Sequence, residues 1–420
     1  MKASAGRILM LVENNYPQDT RVRNEASLLA ASGYQVSVIC LRKSNQPRVE
    51  TVGNVRVYRL PRLELFKKTP TPNPGWLRKV ILKLKSVIGY FLEYTYFTTA
   101  CFLVAAYILI RHGFDAIHAH NPPDTLFLAA LPYKLLGKKF VFDHHDLCPE
   151  LYQSRYQVQP GWLTRMLLVT EWCSLKLADV TIATNESYKQ TQMIRAKKRP
   201  ETIFIVRNGP DRLRMTQAEP NAKLKNKNKC ILAYIGSLNP QDGVDYLLRS
   251  LHHLLYTLKR DDFYCVIMGS GDSLEDLRTL AKELKLDQHV ELPGFVSEED
   301  LRGNLAAADI CLDPDPSSPL NDVSTWIKVM EYMAYAKPIV TFDLIETRYS
   351  AQSAAIYVQP NDELEFAKAT LKLMDAPEMR KQLGEFGRTR VENELQWSVV
   401  GKQLIAAYQF LFSQHESKIA

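Results

Sequence analysis

The feature that most constrains this chain is the alternation of short apolar runs with helix-forming stretches, which continues along most of its length. Arg7-Ile-Leu-Met-Leu-Val12 is apolar almost throughout, as a strand covered on both faces requires. A helix over 22–32 follows, closed by Gly33. Gln35–Cys40 then reads as a second strand, and 115–119, 139–143, 179–183 and 202–206 as further strands with helices between them. Beyond residue 229 the pattern resumes. It gives strands at 230–235, 263–268, 289–292, 309–313 and 338–342, and helices at 243–258, 273–284, 297–307, 324–335 and 361–374. Such alternation implies a parallel sheet with helices on both faces. The polar, Lys/Asn-rich stretch 217–229 divides it into two doubly wound domains.

With 420 residues and 46% hydrophobic composition, the chain is long enough for two such cores. The expected organisation is a first domain over 1–213, a linker over 214–229, a second domain over 230–394, and a terminal helix and tail over 395–420. Ligands of such sheets bind outside the carboxyl ends of the strands, so the loops that follow strands are the ones to search. The seven cysteines stand singly without metal-ligand spacing, which argues against a zinc site or a disulfide framework. The apolar run Ile8–Val12 breaks at Glu13-Asn14-Asn15, too soon for a secretion signal, so a cytoplasmic location is expected.

Charge is distributed unevenly. Residues 1–213 carry 30 Lys+Arg against 16 Asp+Glu, whereas the remainder carries 23 against 30. A basic first half suits an anionic partner. Residues 87–110 hold a single charge, Glu93, and are long enough to span a bilayer. A strand follows at once, so a helix packed on the sheet or sunk into the membrane interface fits better than a span. Residues 56–85 hold nine Lys/Arg and one acid, Glu64, together with Phe66, Trp76, Pro61, Pro70, Pro72 and Pro74. Basic and aromatic residues beside an apolar helix predict peripheral membrane contact over 56–110.

The most informative segment runs from Ser317 to Thr341, after the apolar run Ile310–Asp313. Asp322, Ser324 and Thr325 are candidate N-caps for a helix there, with Lys328 and Glu331 near its start. A helix N-terminus after a strand suits a phosphate, the lysine adds a point charge, and the glutamate suits two ribose hydroxyls. This segment resembles the donor-site signature of glycosyltransferase family four, in the branch with a Ser-Thr-x-x-Lys-x-x-Glu-Tyr-Met-Ala pattern. Glu331 matches the second of that family's two glutamates. The first would fall on Val323, with Asp322 one position away.

Other segments carry the same resemblance. Asn14 to Glu25 is similar to the family's first loop, where Asp19 and Arg21 would reach acceptor or donor. His118-Ala-His-Asn-Pro-Pro-Asp124 and Asp143-His-His-Asp146 follow two successive strands. His145 matches the family histidine near the donor sugar best and His120 second, with Asp146 beside them. At the family's Gly-Arg position this chain has Gly236-Ser237, and Asp242 near the position of a lysine. The diphosphate would then be met by Lys328, Arg207 and backbone N–H groups around Gly236. Gly269 and Gly271 would let the backbone approach the nucleotide, and Phe295 lies in a loop resembling one that touches the base. Arg207-Asn-Gly-Pro-Asp211 matches the family's close of the first domain.

The resemblance implies a GT-B fold: two Rossmann-like domains facing across a cleft, with the C-terminal helix crossing back to the first. It implies transfer of a sugar from a nucleoside diphosphate, mostly with retention of configuration and without a metal or other cofactor. A lipid-linked or glycan acceptor and a membrane surface, rather than nucleic acid, are the expected partners. Rival readings are a GT-B nucleotide-sugar epimerase and a non-catalytic nucleotide-sugar-binding protein. An NAD-dependent dehydrogenase is disfavoured, because no Gly-x-Gly-x-x-Gly follows the first strand.

Overall fold

Apolar runs at the expected places form the strands of two parallel sheets in the computed structural model, which describes residues 6–63, 76–210, 215–216 and 218–416. The chain divides into two units. One comprises residues 1–149, 160–206 and 401–420, and the other comprises 150–159 and 207–400.

The first unit holds β1 (Arg7–Asn15), β2 (Gln35–Leu41), β3 (Val49–Val52), β4 (Val55–Leu60), β5 (Ala116–His120), β6 (Lys139–His144), β7 (Val180–Ala183) and β8 (Ile203–Ile205). Their order is β3-β4-β2-β1-β5-β6-β7-β8, parallel except for β3 against β4. The β3–β4 hairpin differs from the expectation for 56–85. Val55, Val57, Tyr58 and Leu60 are buried, and Arg59 is itself 4% exposed, donating to the Tyr16 carbonyl at 3.2 Å and pairing with Glu50. Two of the nine basic residues of that stretch, Arg56 and Arg59, are thus strand residues. Glu64, Phe66, Pro70, Pro72 and Pro74 lie outside the described residues, as do Asp211 and Gln217.

The chain order reverses beside β1, so helices connecting in opposite directions along the sheet lie on opposite faces. Helix Thr20–Ala31 joins β1 to β2 and sits on one face. Helices Trp76–Arg111, Leu126–Leu135, Trp162–Leu177 and Glu186–Ala196 all run the other way and cover the second face. Among the described residues Ile88–Arg111 is long and apolar enough to cross a membrane. Its inner stripe, Phe97, Cys101, Ala105 and Ile108, is nonetheless buried against Leu9, Leu11 and Ile117 of the sheet. The C-terminal helix Lys402–Glu416 groups with this unit and packs on β7 and β8. The regrouping starts at Gly401, so residues 395–400 stay with the second unit.

The second unit holds β9 (Cys230–Ile235), β10 (Phe263–Met268), β11 (Val290–Gly294), β12 (Ile310–Asp313), β13 (Ile339–Phe342) and β14 (Ala355–Val358), in the order β11-β10-β9-β12-β13-β14. Part of the stretch expected to link the domains packs on this unit. Leu224 is 5% exposed, and Asn221 is bound to the Gly303 carbonyl and the Asn304 side chain.

One device recurs in both sheets. An aspartate just before a strand accepts the N–H near the start of its neighbour: Asp115 from Arg7, Asp179 from Phe140 and Asp309 from Ile231, at 2.8–2.9 Å. Each bond satisfies an N–H near the start of an interior strand, at one end of the sheet.

Candidate functional site

In the first unit the order reversal falls between β1 and β5, the usual place for a ligand crevice. His118 and His120 are two apart on β5 and so project from one face, with their rings stacked at 4.2 Å. Register places Asp143 of β6 opposite His120. Helix Thr20–Ala31 lays Arg21 and Glu25, one turn apart, over the same face. Arg21 Nη2 donates to Asp143 Oδ1 at 2.8 Å, and Arg21 Nε lies 3.1 Å from Glu25 Oε1. His145 Nε2 is 2.8 Å from Asp143 Oδ2 and 3.2 Å from His120 Nδ1. The Tyr408 hydroxyl reaches His118 Nδ1 at 2.9 Å. His145 keeps 17% of its side chain exposed, against 0% for His118 and 1% for His120.

Burial raises the Asp143 carboxyl, but the charges of Arg21 and His145 and hydrogen bonds from the other histidines outweigh it. Asp143 is held well below the carboxylate range. Burial and the neighbouring Asp143 push Glu25 well above its ordinary value. The pair therefore carries one negative charge, matched by Arg21. Burial lowers His118 and, with added repulsion from His118, His120 further, so both are neutral near pH 7. His144 points to the other face, 3.8 Å from Glu171. Burial and then the Arg195 charge push it down to about 3, so it is a core histidine. Glu25, His118, His120 and Asp143 offer four ligand atoms within 4.8 Å. The Arg21 guanidinium already lies among them and supplies the positive charge that a metal would bring, so the set does not fit an ion.

His145, His120 and Arg21 thus meet around Asp143. Asp146 adjoins them, its backbone held on both sides by the Asn121 amide, and burial raises its carboxyl. Asp19 caps its helix, accepting from Val22 N at 3.1 Å. Arg21 also donates to the Val206 carbonyl at 2.9 Å. Asp19 and Arg21 are thus each held by partners within the first unit. The sequence reading quoted Glu25, Asp143 and Asn121 without assigning them roles. The signal for Glu25 was its place four residues after Arg21.

In the second unit the reversal falls between β9 and β12. Lys328 Nζ lies 3.1 Å from Asp313 Oδ1 and 2.6 Å from Asp315 Oδ2, under the Tyr234 ring. Burial opposes the ammonium, but Asp315, Tyr234 and Asp313 together raise Lys328 well above its ordinary value. Lys328, expected to offer its charge to phosphate, already faces Asp313 and Asp315, and burial and the neighbouring Asp313 raise the Asp315 carboxyl well above its ordinary value. The helix begins at Ile327 with Trp326 as N-cap and no side-chain cap. Asp322, Ser324 and Thr325 do not cap it, because the 3₁₀ turn Asn321–Val323 directs them elsewhere. Asp322 accepts from Ser317, Ser324 donates to the Leu320 carbonyl, and Thr325 lies 3.5 Å from Glu346. Glu331, in this helix, is 4% exposed.

The glycine loops come together at the ends of β9, β10 and β11. Gly236 N donates to the Met268 carbonyl, Leu238 N to Ser270 and Gly269 N to Gly294. Of the backbone N–H groups around Gly236, those of Gly236 and Leu238 are thus taken by the neighbouring loop. A Cβ on Gly269 would run into the Gly236 carbonyl, and one on Gly271 into the Leu238 backbone. These glycines let loop approach loop. The Ser237 carbonyl accepts from Tyr234, and Phe295 stands 84% exposed after Gly294. Arg207 donates to Glu346 Oε2 at 3.2 Å and stacks 3.8 Å from the Tyr349 ring. Sequence reasoning missed Glu346, Asp313 and Asp315, although all three lie at or just after strand ends.

Residues 18–209 match the family described as Glycosyl transferase 4-like domain, and residues 215–390 match Glycosyl transferases group 1. The chain belongs to these family-four glycosyltransferases and has their GT-B fold. The phosphatidylinositol N-acetylglucosaminyltransferase GPI3 subunit of Saccharomyces cerevisiae is 23% identical over 314 residues, covering 73% of this chain and 62% of that protein. The GDP-mannose-dependent monoacylated alpha-(1-6)-phosphatidylinositol monomannoside mannosyltransferase of Corynebacterium glutamicum is 27% identical over 207 residues, 47% of this chain and 53% of that protein. The chain thus spans less than two thirds of these relatives' length. Sucrose-phosphate synthase from Thermosynechococcus elongatus shares the fold, with a TM-score of 0.72 at 20% identity over 97% of this chain and all of that one.

Proposed function

We propose that this chain transfers a sugar from a nucleoside diphosphate to a hydroxyl of a lipid-linked or glycan acceptor, working on the cytoplasmic face of a membrane. The observation that carries this reading is the uncapped start of helix Ile327–Ala334 at the order reversal of the second sheet, with buried Glu331 in its second turn. Unmatched N–H groups and the helix dipole suit a diphosphate. They also stabilise the charge that develops on it as the glycosidic bond breaks. Glu331 suits the two ribose hydroxyls. In the first unit His145, aligned by Asp143, is the group placed to contact the sugar and orient the reacting hydroxyl. With retention, the departing phosphate serves as base, and neither a metal nor a side-chain nucleophile is required.

The names of the relatives support the substrate classes: one takes GDP-mannose, and both name phosphatidylinositol. A second reading, nucleotide-sugar binding without transfer, draws on Lys328 already facing Asp313 and Asp315. Calorimetric titration with UDP and GDP, followed by their sugars, tests the donor site. One nucleotide should be preferred, and Glu331→Ala should weaken it about tenfold or more, the loss of a charged hydrogen bond. Unchanged affinity would place the donor elsewhere. Tight binding with no transfer to any lipid or glycan acceptor would favour the second reading.

A further inference from the structure

The second face of the first sheet is covered by helices whose outward sides are apolar. Along Ile88–Arg111 the exposed positions follow a helical period and include Leu92, Leu103 and Ile110, the last 84% exposed. The next helix, Leu126–Leu135, packs beside it and exposes Leu128, Leu131 and Leu135. Trp162–Leu177 packs beside that one and exposes Trp162, Val169 and Trp172. The inner sides of all three contribute to one buried cluster, so the exposed stripes lie in a single layer. A soluble surface seldom leaves so many large apolar side chains uncovered over adjoining helices.

The charges of this layer are one-sided. Across residues 88–111, 126–135 and 162–177 the acids are Glu93 and Glu171. Glu171 is fully buried and paired with Arg195 at 2.8 Å. The bases are Arg111, Lys134, Arg165 and Lys176, of which Arg111, Arg165 and Lys176 are exposed. Arg165 and Lys176 lie at helical spacing in the same stripe as Trp162, Val169 and Trp172, and Lys176 lies 6.0 Å from the Trp172 ring. Apolar and indole side chains between basic residues match the interfacial zone of an anionic bilayer, where leucine enters the acyl boundary, tryptophan lies at headgroup level and lysine and arginine meet phosphate. A partner protein surface would ordinarily call for charges of both signs at its rim.

We propose that this three-helix layer, Ile88–Arg111, Leu126–Leu135 and Trp162–Leu177, is the surface by which the first unit docks on anionic lipid. The proposal deepens the reading of a lipid-linked acceptor and rests on it. It also moves the contact away from β4, where Arg59 is buried against Tyr16 and Glu50. The layer lies on the opposite face of the sheet from the His118–His120–Asp143 cluster, so docking leaves that cluster uncovered.

The test is flotation of the full chain with vesicles of phosphatidylcholine alone or with added phosphatidylglycerol, alongside nucleotide titration of the same samples. Wild type should float with the anionic vesicles only, less so at high salt, and brominated lipid should quench its tryptophan emission. Leu131→Asp with Leu135→Asp should cut binding at least tenfold. Arg165→Gln with Lys176→Gln should cut it several-fold and flatten the salt dependence. Both variants should keep wild-type nucleotide affinity and thermal midpoint. Trp162→Phe with Trp172→Phe should remove most of the quenching. Wild type that stays off anionic vesicles while binding nucleotide overturns the docking surface and leaves the donor site standing. Vesicle binding without nucleotide binding does the reverse. Unchanged flotation of the leucine variant places the contact elsewhere. A dimer by sedimentation that the leucine variant splits makes the layer an interface between copies, and also overturns the proposal.

Discussion

Both units bury a charged cluster where the order of their sheet reverses, but they neutralise it differently. In the second unit one ammonium, Lys328, faces two carboxylates, Asp313 and Asp315, with tyrosine and tryptophan around them. In the first unit one guanidinium, Arg21, also faces two carboxylates, but three histidine rings close the set. Each cluster depends on a single cation, and each holds a second carboxyl in reserve, because burial raises Glu25 in the first and Asp315 in the second well above the carboxylate range. The first is also bordered by a histidine open to solvent, which is where proton-dependent chemistry is possible.

The largest test of this contrast is Lys328→Met. It leaves two buried carboxylates without a cation and should cost about 3–5 kcal/mol in urea denaturation. Asp143→Asn should cost less, about 1–3 kcal/mol, because Glu25 takes over the charge. The reverse order would break the comparison. Next, His145→Ala should lower kcat roughly 10²–10³-fold with nucleotide affinity within about twofold of wild type. If affinity falls and kcat does not, the histidine belongs to binding.

Acid sensitivity should separate the units as well. Burial takes His144 from 6.5 to about 3, so below pH 6.5 the unfolded chain binds a proton that the folded chain refuses. The stability is fully present above that pH and is lost as pH falls, by up to about 1.4 kcal/mol per unit for each such histidine. Among the described residues the second unit has no fully buried histidine. Urea midpoints between about pH 7 and pH 5 should fall in wild type and fall less in His144→Gln. Equal slopes would mean that His144 is not the buried neutral group described. The smallest effect concerns turns. Gly269→Ala should cost about 1–3 kcal/mol, because its Cβ meets the Gly236 carbonyl. Gly33→Ala, with φ +94° and nothing within 4 Å, should cost only the backbone strain, about 1 kcal/mol. Thermal melting of the two variants compares them.

Much of the strand framework was legible because a strand covered on both faces must be apolar along its length. Val49–Val52 and Val55–Leu60 were missed for a physical reason. Arg56 and Arg59 alternate with the apolar residues there and made the segment look like a basic surface stretch. Four residues at Ala355–Val358 are too few to carry a period. The candidate site was legible as residue types at strand ends, since polar side chains there have few other reasons to interrupt apolar runs.

The sequence by itself determined the two-sheet plan, the loops that carry chemistry and the small set of residues on them, because these follow from local periodicity and turn chemistry. Only the tertiary structure decided which charges answer which. Arg21 meets Asp143 across 122 positions, Tyr408 meets His118 across 290, and Lys328 turns to two aspartates rather than outward. A buried charge takes whatever partner the register of distant strands brings within about 3 Å, and no local pattern encodes that register.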